Sequence, residues 1–202
     1  MRGRALQAIV AGFRPWLRGL LLLGLPAIAA CDLPHDPNGT LGRVQNGVLR
    51  VGAIEAEPWV RWSDAGPSGI EVALIEEFAR ELGARVEWIR GGELQVLLTL
   101  SEEGADLAIG GLTKSNPWSD DVAFTRPYHR SDLSITAQPA AGGVRLVTVP
   151  QHNPKGQAPL ISQTFEHVMA VPNGENAWLL RLETFLVSRK ARVSAMLDEA
   201  SS

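Results

Sequence analysis

The sequence predicts an α/β domain in which a mostly parallel sheet is flanked by helices. Three observations carry this prediction. Residues 48–54 and 107–109 are nearly continuous apolar runs, typical of strands that are covered on both faces. Two amphipathic segments, at about residues 69–82 and 93–103, lie between these runs. The order strand, helix, strand, helix, strand favours a parallel sheet with helices on both faces.

Each element has its own signal. The first helix has an apolar stripe on one face and charged side chains on the other, and Gly83 can end it. A short strand follows around Val86 and Trp88, and the second helix stops at Gly104. The apolar stripe of the first helix consists of Ile70, Leu74, Ile75, Phe78 and Leu82.

Beyond the central strand, the chain is predicted to leave this lobe and return to it. Residues 131–137 alternate between polar and apolar and indicate an outgoing strand, and residues 144–149 a second short strand. Residues 150–162 show no period. Residues 168–171 indicate a return strand, and an apolar stripe starting near Asn176 predicts a last helix.

Residues 1–30 have the pattern of an export signal. Four arginines precede any acidic residue, residues 19–25 are apolar but too short to span a membrane, and Ile-Ala-Ala-Cys at 28–31 resembles a bacterial lipobox. We therefore expect lipidation of Cys31 to anchor the chain on the extracytoplasmic side of the cell membrane, the periplasmic face of the inner membrane in a Gram-negative host. An uncleaved anchor with a buried cysteine is the alternative. Residues 31–42 predict a flexible tether.

Composition narrows the class of protein and the kinds of partner and cofactor to be expected. The chain is 45% hydrophobic and 20% charged, as in soluble globular proteins. Its net charge of −3 becomes more negative once the arginines of the leader are removed, which argues against nucleic acid as a partner. Cys31 is the single cysteine, and the four histidines lack metal-ligand spacing, so we expect neither a disulfide nor a metal or other cofactor.

A glycine pair follows the central strand. Gly110 and Gly111 lack side chains where something must approach the backbone or where φ must be positive. Thr113 and Ser115 then place hydroxyl groups at the carboxyl end of a strand, where open α/β sheets bind ligands. An ordinary tight turn is the alternative.

These residues carry a resemblance to a known family. DLAIGGLTKS at 106–115 and FTRPY at 124–128 resemble the family 3 extracellular solute-binding proteins, the amino-acid receptors of ABC importers. GVLRVG at 47–52, EPW at 57–59 and GIEVAL at 69–74 match further segments in the same order. The resemblance implies two α/β lobes that close on a small solute.

The chain departs from that family pattern in length. Only about 30 residues separate the outgoing strand from the return strand, too few for a second lobe with its own core. We therefore expect a first lobe at 43–138, a remnant of the second lobe at 139–166, and a return strand with the C-terminal helix at 167–202. A single lobe leaves its ligand half exposed unless a second copy of the chain or another partner covers the cleft.

A second departure is chemical. Trp118 stands where the family has an arginine that grips the carboxylate of the ligand. With Trp59, Trp62 and the acidic Glu55 and Glu57, Trp118 could form an aromatic, acidic mouth for a cationic ligand. Alternatively, the tryptophans cover hydrophobic surface or form a protein contact.

The sequence therefore predicts a membrane-tethered solute-binding protein without enzymatic activity, which serves an ABC permease or a sensing system. The alternative is a degenerate lobe that acts as an interaction module on a membrane partner or as a homodimer. The predicted ligand-binding residues are Glu57, Trp59, Trp62, Glu71, Gly110, Gly111, Leu112, Thr113, Ser115, Trp118 and Tyr128.

Overall fold

A computed structural model describes residues 34–140, 143–150 and 161–200. The predicted leader and Cys31 lie outside these residues. In chain order the elements are α1 (Thr40–Val44), β1 (Val48–Ile54), β2 (Arg61–Ser63), β3 (Gly66–Ser68), α2 (Ile70–Leu82), β4 (Arg85–Gly91), α3 (Glu93–Ser101), β5 (Leu107–Ile109), β6 (Val122–Phe124), β7 (His129–Ala140), β8 (Gly143–Pro150), β9 (Ile161–His167), β10 (Ala170–Pro172) and α4 (Asn176–Ala200).

A five-stranded sheet of order β4-β1-β5-β10-β6 forms the centre of the lobe. Strand β1 pairs in parallel with β4 and with β5, so that Val51 lies opposite both Trp88 and Leu107. Strand β10 returns antiparallel between β5 and β6. The predicted α/β class is confirmed, and the parallel strands end together at Ile54, Gly91 and Ile109. We call this end of the sheet the carboxyl edge, and the opposite end the amino edge.

Helices α2 and α4 close one side of the sheet. The predicted apolar stripe of α2 is buried along its whole length, and Gly83 ends the helix in the left-handed region at φ 65°. The ring of Phe78 lies 5.4 Å from that of Trp178 and 4.9 Å from that of Phe185, centroid to centroid. These contacts fix the C-terminal helix to the first lobe.

An ion-pair network joins the outer faces of the same two helices. Arg189 donates to both Glu77 and Glu81 at 2.8 Å, while Arg181 reaches Glu81 at 2.9 Å and Arg192 reaches Glu77 at 2.5 Å. Because three arginines of α4 share two glutamates of α2, the pairs act as a network rather than as isolated surface contacts.

The residues between the outgoing and returning segments form an antiparallel sheet of order β8-β7-β9, which we call the arm. Strand β7 extends the predicted outgoing strand at both ends. Strand β9 was not predicted; it pairs with β7 from His129 opposite His167 to Ile135 opposite Ile161. In the described residues, the arm stands where the family pattern has an α/β second lobe.

The start of the described chain is fixed to the lobe, contrary to the flexible tether predicted through residue 42. The carboxylate of Asp36 accepts from the amides of Leu41 and Trp178, both at 2.9 Å. Glu175 accepts from the amides of Asn38 and Thr40 at 2.9 and 3.0 Å. Residues from Asp36 onward therefore belong to the lobe, because two carboxylates satisfy their backbone donors. Among the described helices, none has the length and apolar character needed to cross a bilayer.

Candidate functional site

The glycine pair turns the chain at the carboxyl edge, directly after β5. Gly110 has φ 138° and Gly111 has φ 66°, which are conformations that other residues rarely adopt. A Cβ atom at Gly110 would lie 2.5 Å from Cβ of Ile54, and one at Gly111 would lie 2.5 Å from Cδ1 of Trp59. Conformation and close packing therefore both require glycine.

The carboxylate of Glu71 lies directly behind this turn and is fully buried. Its Oε2 accepts from the amides of Gly110 at 2.6 Å and Gly111 at 3.1 Å, and its Oε1 accepts from the hydroxyl of Tyr128. Burial raises the pKa of Glu71, and these three hydrogen bonds oppose the rise. Burial, and then the charge of Glu71, hold the pKa of Tyr128 well above its ordinary value.

This arrangement changes the role of four predicted ligand residues. Glu71 and Tyr128 are buried, and the amides of Gly110 and Gly111 already have an acceptor within the protein. Glu71 and Tyr128 hold the turn from behind, and the two glycine amides point toward Glu71.

The loop after the turn is fixed to the end of β9. The amide of Val168 donates to the carbonyl of Leu112, and the amide of Lys114 to that of Glu166, both at 2.9 Å. The side chain of Leu112 is buried, whereas Ser115 is exposed and Thr113 partly exposed, with their hydroxyl oxygens 3.1 Å apart. Of this loop, the hydroxyl pair is thus available to a solute.

The three tryptophans proposed for one aromatic mouth have different surroundings. Trp59 is buried, with its ring centroid 4.3 Å from that of His167. Trp62 donates to the carbonyl of Ala53 at 3.3 Å, and the guanidinium of Arg90 lies 5.3 Å from its ring centroid. Partly buried Trp118 packs against a separate core cluster that includes Ile54, Val96 and Leu97.

The predicted acidic character of the mouth is reduced by arginines. Glu57 forms two hydrogen bonds with Arg61, at 2.6 and 2.9 Å, and the bonding and charge of that guanidinium lower the pKa of Glu57. Glu55 pairs with Arg90 at 3.1 Å. The nearby Glu93 accepts from the amide nitrogen of Asn116 at 2.9 Å.

A histidine pair at the base of the arm is a feature that sequence reasoning missed. His129 begins β7 and His167 ends β9, with their ring centroids 5.8 Å apart. Burial, and then the proximity of His129, lower the pKa of His167 to about 4. Its Nε2 lies 2.7 Å from Oγ of Ser131, while its buried Nδ1 has no hydrogen-bond partner among the described residues. The signal was hidden because the pairing depends on β9, which has no clear strand pattern.

Five predicted residues remain accessible at the carboxyl edge: Glu57, which is paired with Arg61, and a set of four others. We call Trp62, Thr113, Ser115 and Trp118 the carboxyl-edge surface; Trp62 follows β1 and the other three follow β5. Among the described residues, no group of three His, Cys, Asp or Glu side chains is arranged to hold a metal ion.

Comparison with protein families gives a match to the bacterial extracellular solute-binding proteins, family 3, over residues 49–194. That stretch is more than half of the chain and includes the glycine turn, Trp118, the arm and most of α4. The match agrees with the resemblance found in the sequence.

Curated relatives include two proteins named membrane-bound lytic murein transglycosylase F. The protein from Vibrio cholerae serotype O1 is 31% identical over 116 residues, which cover 56% of this chain and 21% of the relative. The protein from Alkalilimnicola ehrlichii, with the suffix F 1, is 32% identical over 116 residues, which cover 54% of this chain and 24% of the relative. The chain therefore spans less than a quarter of the length of these relatives.

Solved structures share the fold. A crystal structure of an ancestral amino acid-binding protein, a precursor of cyclohexadienyl dehydratase, aligns with TM-score 0.60 and 15% identity over 79% of this chain and 98% of that one. The L-cystine solute receptor of Neisseria gonorrhoeae aligns with TM-score 0.57 and 14% identity over 76% and 91%. Domain 1 of the T. maritima protein ArgBP, in its arginine-bound form, aligns with TM-score 0.51 and 22% identity over 72% and 95%.

Proposed function

Because the chain belongs to the bacterial extracellular solute-binding proteins of family 3, we propose that it captures a small polar or cationic, amino-acid-like solute at the carboxyl-edge surface. The observation that carries the proposal is the accessible hydroxyl pair of Thr113 and Ser115, on the loop that also contains Trp118 and that Glu71 fixes from behind. This rigid turn keeps the polar groups in place before a solute arrives, which lowers the entropic cost of binding.

The chemistry of the surface favours a cation with hydrogen-bonding groups. Thr113 and Ser115 can each donate and accept, and the face of the Trp118 indole can attract an ammonium or guanidinium group. Trp118 cannot make the bidentate contact to a carboxylate that an arginine makes. We therefore propose that the positive end of the solute, rather than its carboxylate, supplies most of the recognition.

A single lobe is sufficient for this proposal. The structure of ArgBP domain 1 is an arginine-bound form, so one domain of that protein holds an amino acid. A solute on one lobe keeps much of its surface in water, and we expect dissociation constants weaker than about 1 μM.

A thermal-shift screen of the full-length chain in nonionic detergent tests the proposal, with arginine, polyamines and betaines as probes. A ligand that binds the native state raises the melting temperature in a saturable way. We expect Trp118→Ala to abolish the shift and Thr113→Val to weaken binding by about fivefold, the effect of one neutral hydrogen bond. Thr184→Val, which removes an exposed hydroxyl on α4, is the matched control. A shift that survives Trp118→Ala would place the solute elsewhere, and the lack of any shift would contradict the proposal.

We further propose that Cys31 is lipidated and holds the lobe at the extracytoplasmic face of the cell membrane, where it serves an ABC importer or a sensing system. Two residues, Asp32 and Leu33, separate Cys31 from Pro34, where the described residues begin. Mass spectrometry of the mature chain should show a diacylglyceryl cysteine at its start, and Cys31→Ser should release the protein from the membrane fraction. An unmodified Cys31 in a membrane-bound chain would favour the uncleaved anchor.

We propose that the lobe itself binds without catalysing a reaction. The transglycosylase relatives match this chain over a region that is 21–24% of their own length, through a solute-binding domain. Incubation of the purified chain with murein sacculi should release no soluble fragments. Release that disappears in Glu71→Gln or in another single acidic variant would overturn this view.

An interaction module is the second candidate, and exposed leucines at the start of α3 favour it. Leu94 and Leu98 are 62% and 42% exposed and lie one helical turn apart, close to the carboxyl edge. A chain that forms a dimer in solution, and whose melting temperature no solute changes, would favour this candidate. Leu94→Lys should then break the dimer.

A further inference from the structure

A second pocket of the lobe, at the base of the arm, is lined by cationic side chains. It has a volume of about 530 Å³ and lies between the segment that joins β6 to β7 and the second half of α4. Arg126 and Arg130 line it from one side, and Lys190 and Ser194 from the other. Three further pockets of the lobe each include at least one glutamate among their lining residues, whereas this one includes no acidic residue.

Both arginines are held in place by carboxylates that use only part of each guanidinium. Glu183 accepts from Nε of Arg126 at 2.9 Å and from its backbone amide at 2.7 Å. Glu166 accepts from Nε of Arg130 at 2.9 Å and from its Nη2 at 2.7 Å. Among the described residues, nothing accepts from either terminal nitrogen of Arg126 or from Nη1 of Arg130. The guanidiniums are thus oriented in advance and keep donors for a ligand.

Lys190 supplies a positive charge that these glutamates do not neutralise. No ion pair to it occurs within the described part of the chain, and its backbone carbonyl accepts from Oγ of Ser194 at 3.4 Å, one turn further along α4. Arg126, Arg130 and Lys190 against Glu166 and Glu183 leave a net charge of +1 around the pocket.

We propose that this pocket binds an anion that carries a phosphate group. Its donors come from three separate parts of the fold, which suits a tetrahedral anion with several acceptor oxygens better than a planar carboxylate that one guanidinium fork would satisfy. A bound phosphate would join the lobe, the base of the arm and α4. The site is separate from the carboxyl-edge surface, with which it shares no residue.

Titration of the full-length chain with inorganic phosphate tests the site. The chain is kept in nonionic detergent at constant ionic strength, with chloride as the replaced anion, and unfolding is followed by the fluorescence of its six tryptophans. We expect a saturable rise in melting temperature in the wild type. Lys190→Gln should weaken apparent phosphate affinity by roughly fivefold, the effect of one partly exposed charge pair, and Lys190→Glu should abolish binding.

Arg85→Gln is the matched control, because it removes an exposed positive charge at the start of β4, outside the pocket, and should leave phosphate affinity unchanged. Phosphate also stabilises proteins generally by exclusion from their surface. A rise that does not saturate and is equal in all variants would therefore overturn the proposal, as would the lack of any rise.

A second experiment adds phosphatidylglycerol to the micelles in place of inorganic phosphate. A stabilisation that is weakened in Lys190→Gln and lost in Lys190→Glu would identify a lipid head group as a source of the phosphate. Stabilisation by inorganic phosphate alone would identify a free anion.

Discussion

A fully buried carboxylate lies near each end of β5, and the two carboxylates have opposite surroundings. Asp106, at the amino edge, accepts from Nη2 of Arg50 at 2.6 Å, Nη1 of Arg43 at 2.7 Å and the backbone amide of Arg50 at 2.9 Å. Glu71, at the carboxyl edge, accepts from two glycine amides and the hydroxyl of Tyr128, all of them neutral donors. Burial acts to raise the pKa of each acid; the arginines reverse the effect at Asp106, whereas the neutral donors only oppose it at Glu71.

The contrast shows how one sheet can hold a buried acid by ion pairs at one edge and by neutral hydrogen bonds at the other. The ion pairs of Asp106 join α1, β1 and β5. At the carboxyl edge, the donors to Glu71 are backbone amides and a hydroxyl instead of arginines. The bonds that hold the turn therefore place no fixed positive charge beside the proposed solute. They add no repulsion to a cationic solute at Thr113 and Ser115. Arg90, which lies over Trp62, is itself paired with Glu55.

Of changes to the two buried carboxylates, removal of Glu71 should cause the largest loss of folding stability. Glu71→Ala leaves two amides and a hydroxyl buried without an acceptor and opens a cavity behind the turn, which we expect to lower the free energy of unfolding by about 3–5 kcal/mol. Urea unfolding followed by tryptophan fluorescence measures the loss.

Glu76→Ala, on the exposed face of the same helix, is its control and should change stability by less than about 0.5 kcal/mol. Equal losses in the two variants would show that Glu71 does not hold the turn.

Asp106→Asn should have a smaller effect, because an asparagine keeps one acceptor oxygen for the arginines. We expect a loss of about 2–3 kcal/mol, since the two guanidinium groups lose the negative charge that pairs with them and the amide nitrogen faces a backbone donor. Asp64→Asn, in the exposed turn between β2 and β3, is the matched control for urea unfolding. A loss larger than that of Glu71→Ala would reverse the order of the two edges.

The sequence predicts the regular half of this fold because its signals are local. Continuous apolar strands, the stripe of α2 and Gly83 at its end depend on neighbouring residues, and these predictions are confirmed; the second helix ends at Ser101, before the predicted Gly104. Strand β9 depends on distant pairing with β7, and its residues are largely polar, so no local pattern marks it.

The candidate site shows the same division. The glycine turn and its hydroxyl pair follow from the residues at 110–115, but the inward role of Glu71 was missed. A signal was present: Glu71 shares the helical spacing of Ile75, Phe78 and Leu82, and so belongs to the buried stripe rather than to the charged face. The separation of Trp59 from Trp118 could not be predicted, because it depends on the position of His167 at the end of the unpredicted strand.

The hydroxyl of Tyr128 tests how much one neutral donor contributes. Tyr128→Phe leaves Oε1 of Glu71 without its donor, and we expect a loss of about 1–2 kcal/mol. A double-mutant cycle with Glu71→Gln isolates the pair, with an expected coupling energy of about 1 kcal/mol. Additive losses in the cycle would mean that the hydroxyl of Tyr128 stabilises the lobe independently of Glu71.

The smallest effect, and the most direct test of the comparison, is the dependence of stability on pH. Because the pKa of Glu71 is raised, its contribution is complete below the pKa of the unfolded chain and is lost as pH rises through the higher folded value. Because the pKa of Asp106 is lowered, its contribution is present above the unfolded pKa and is lost as pH falls. His167, with a pKa lowered to about 4, also contributes less stability in acid, so each variant is compared with the wild type at the same pH.

From about pH 3 to about pH 8, the stability lost in Asp106→Asn should grow and that lost in Glu71→Gln should shrink. Each change should be less than about 1.4 kcal/mol per pH unit, the limit for one proton. Slopes of the same sign would mean that the two buried acids share one kind of environment.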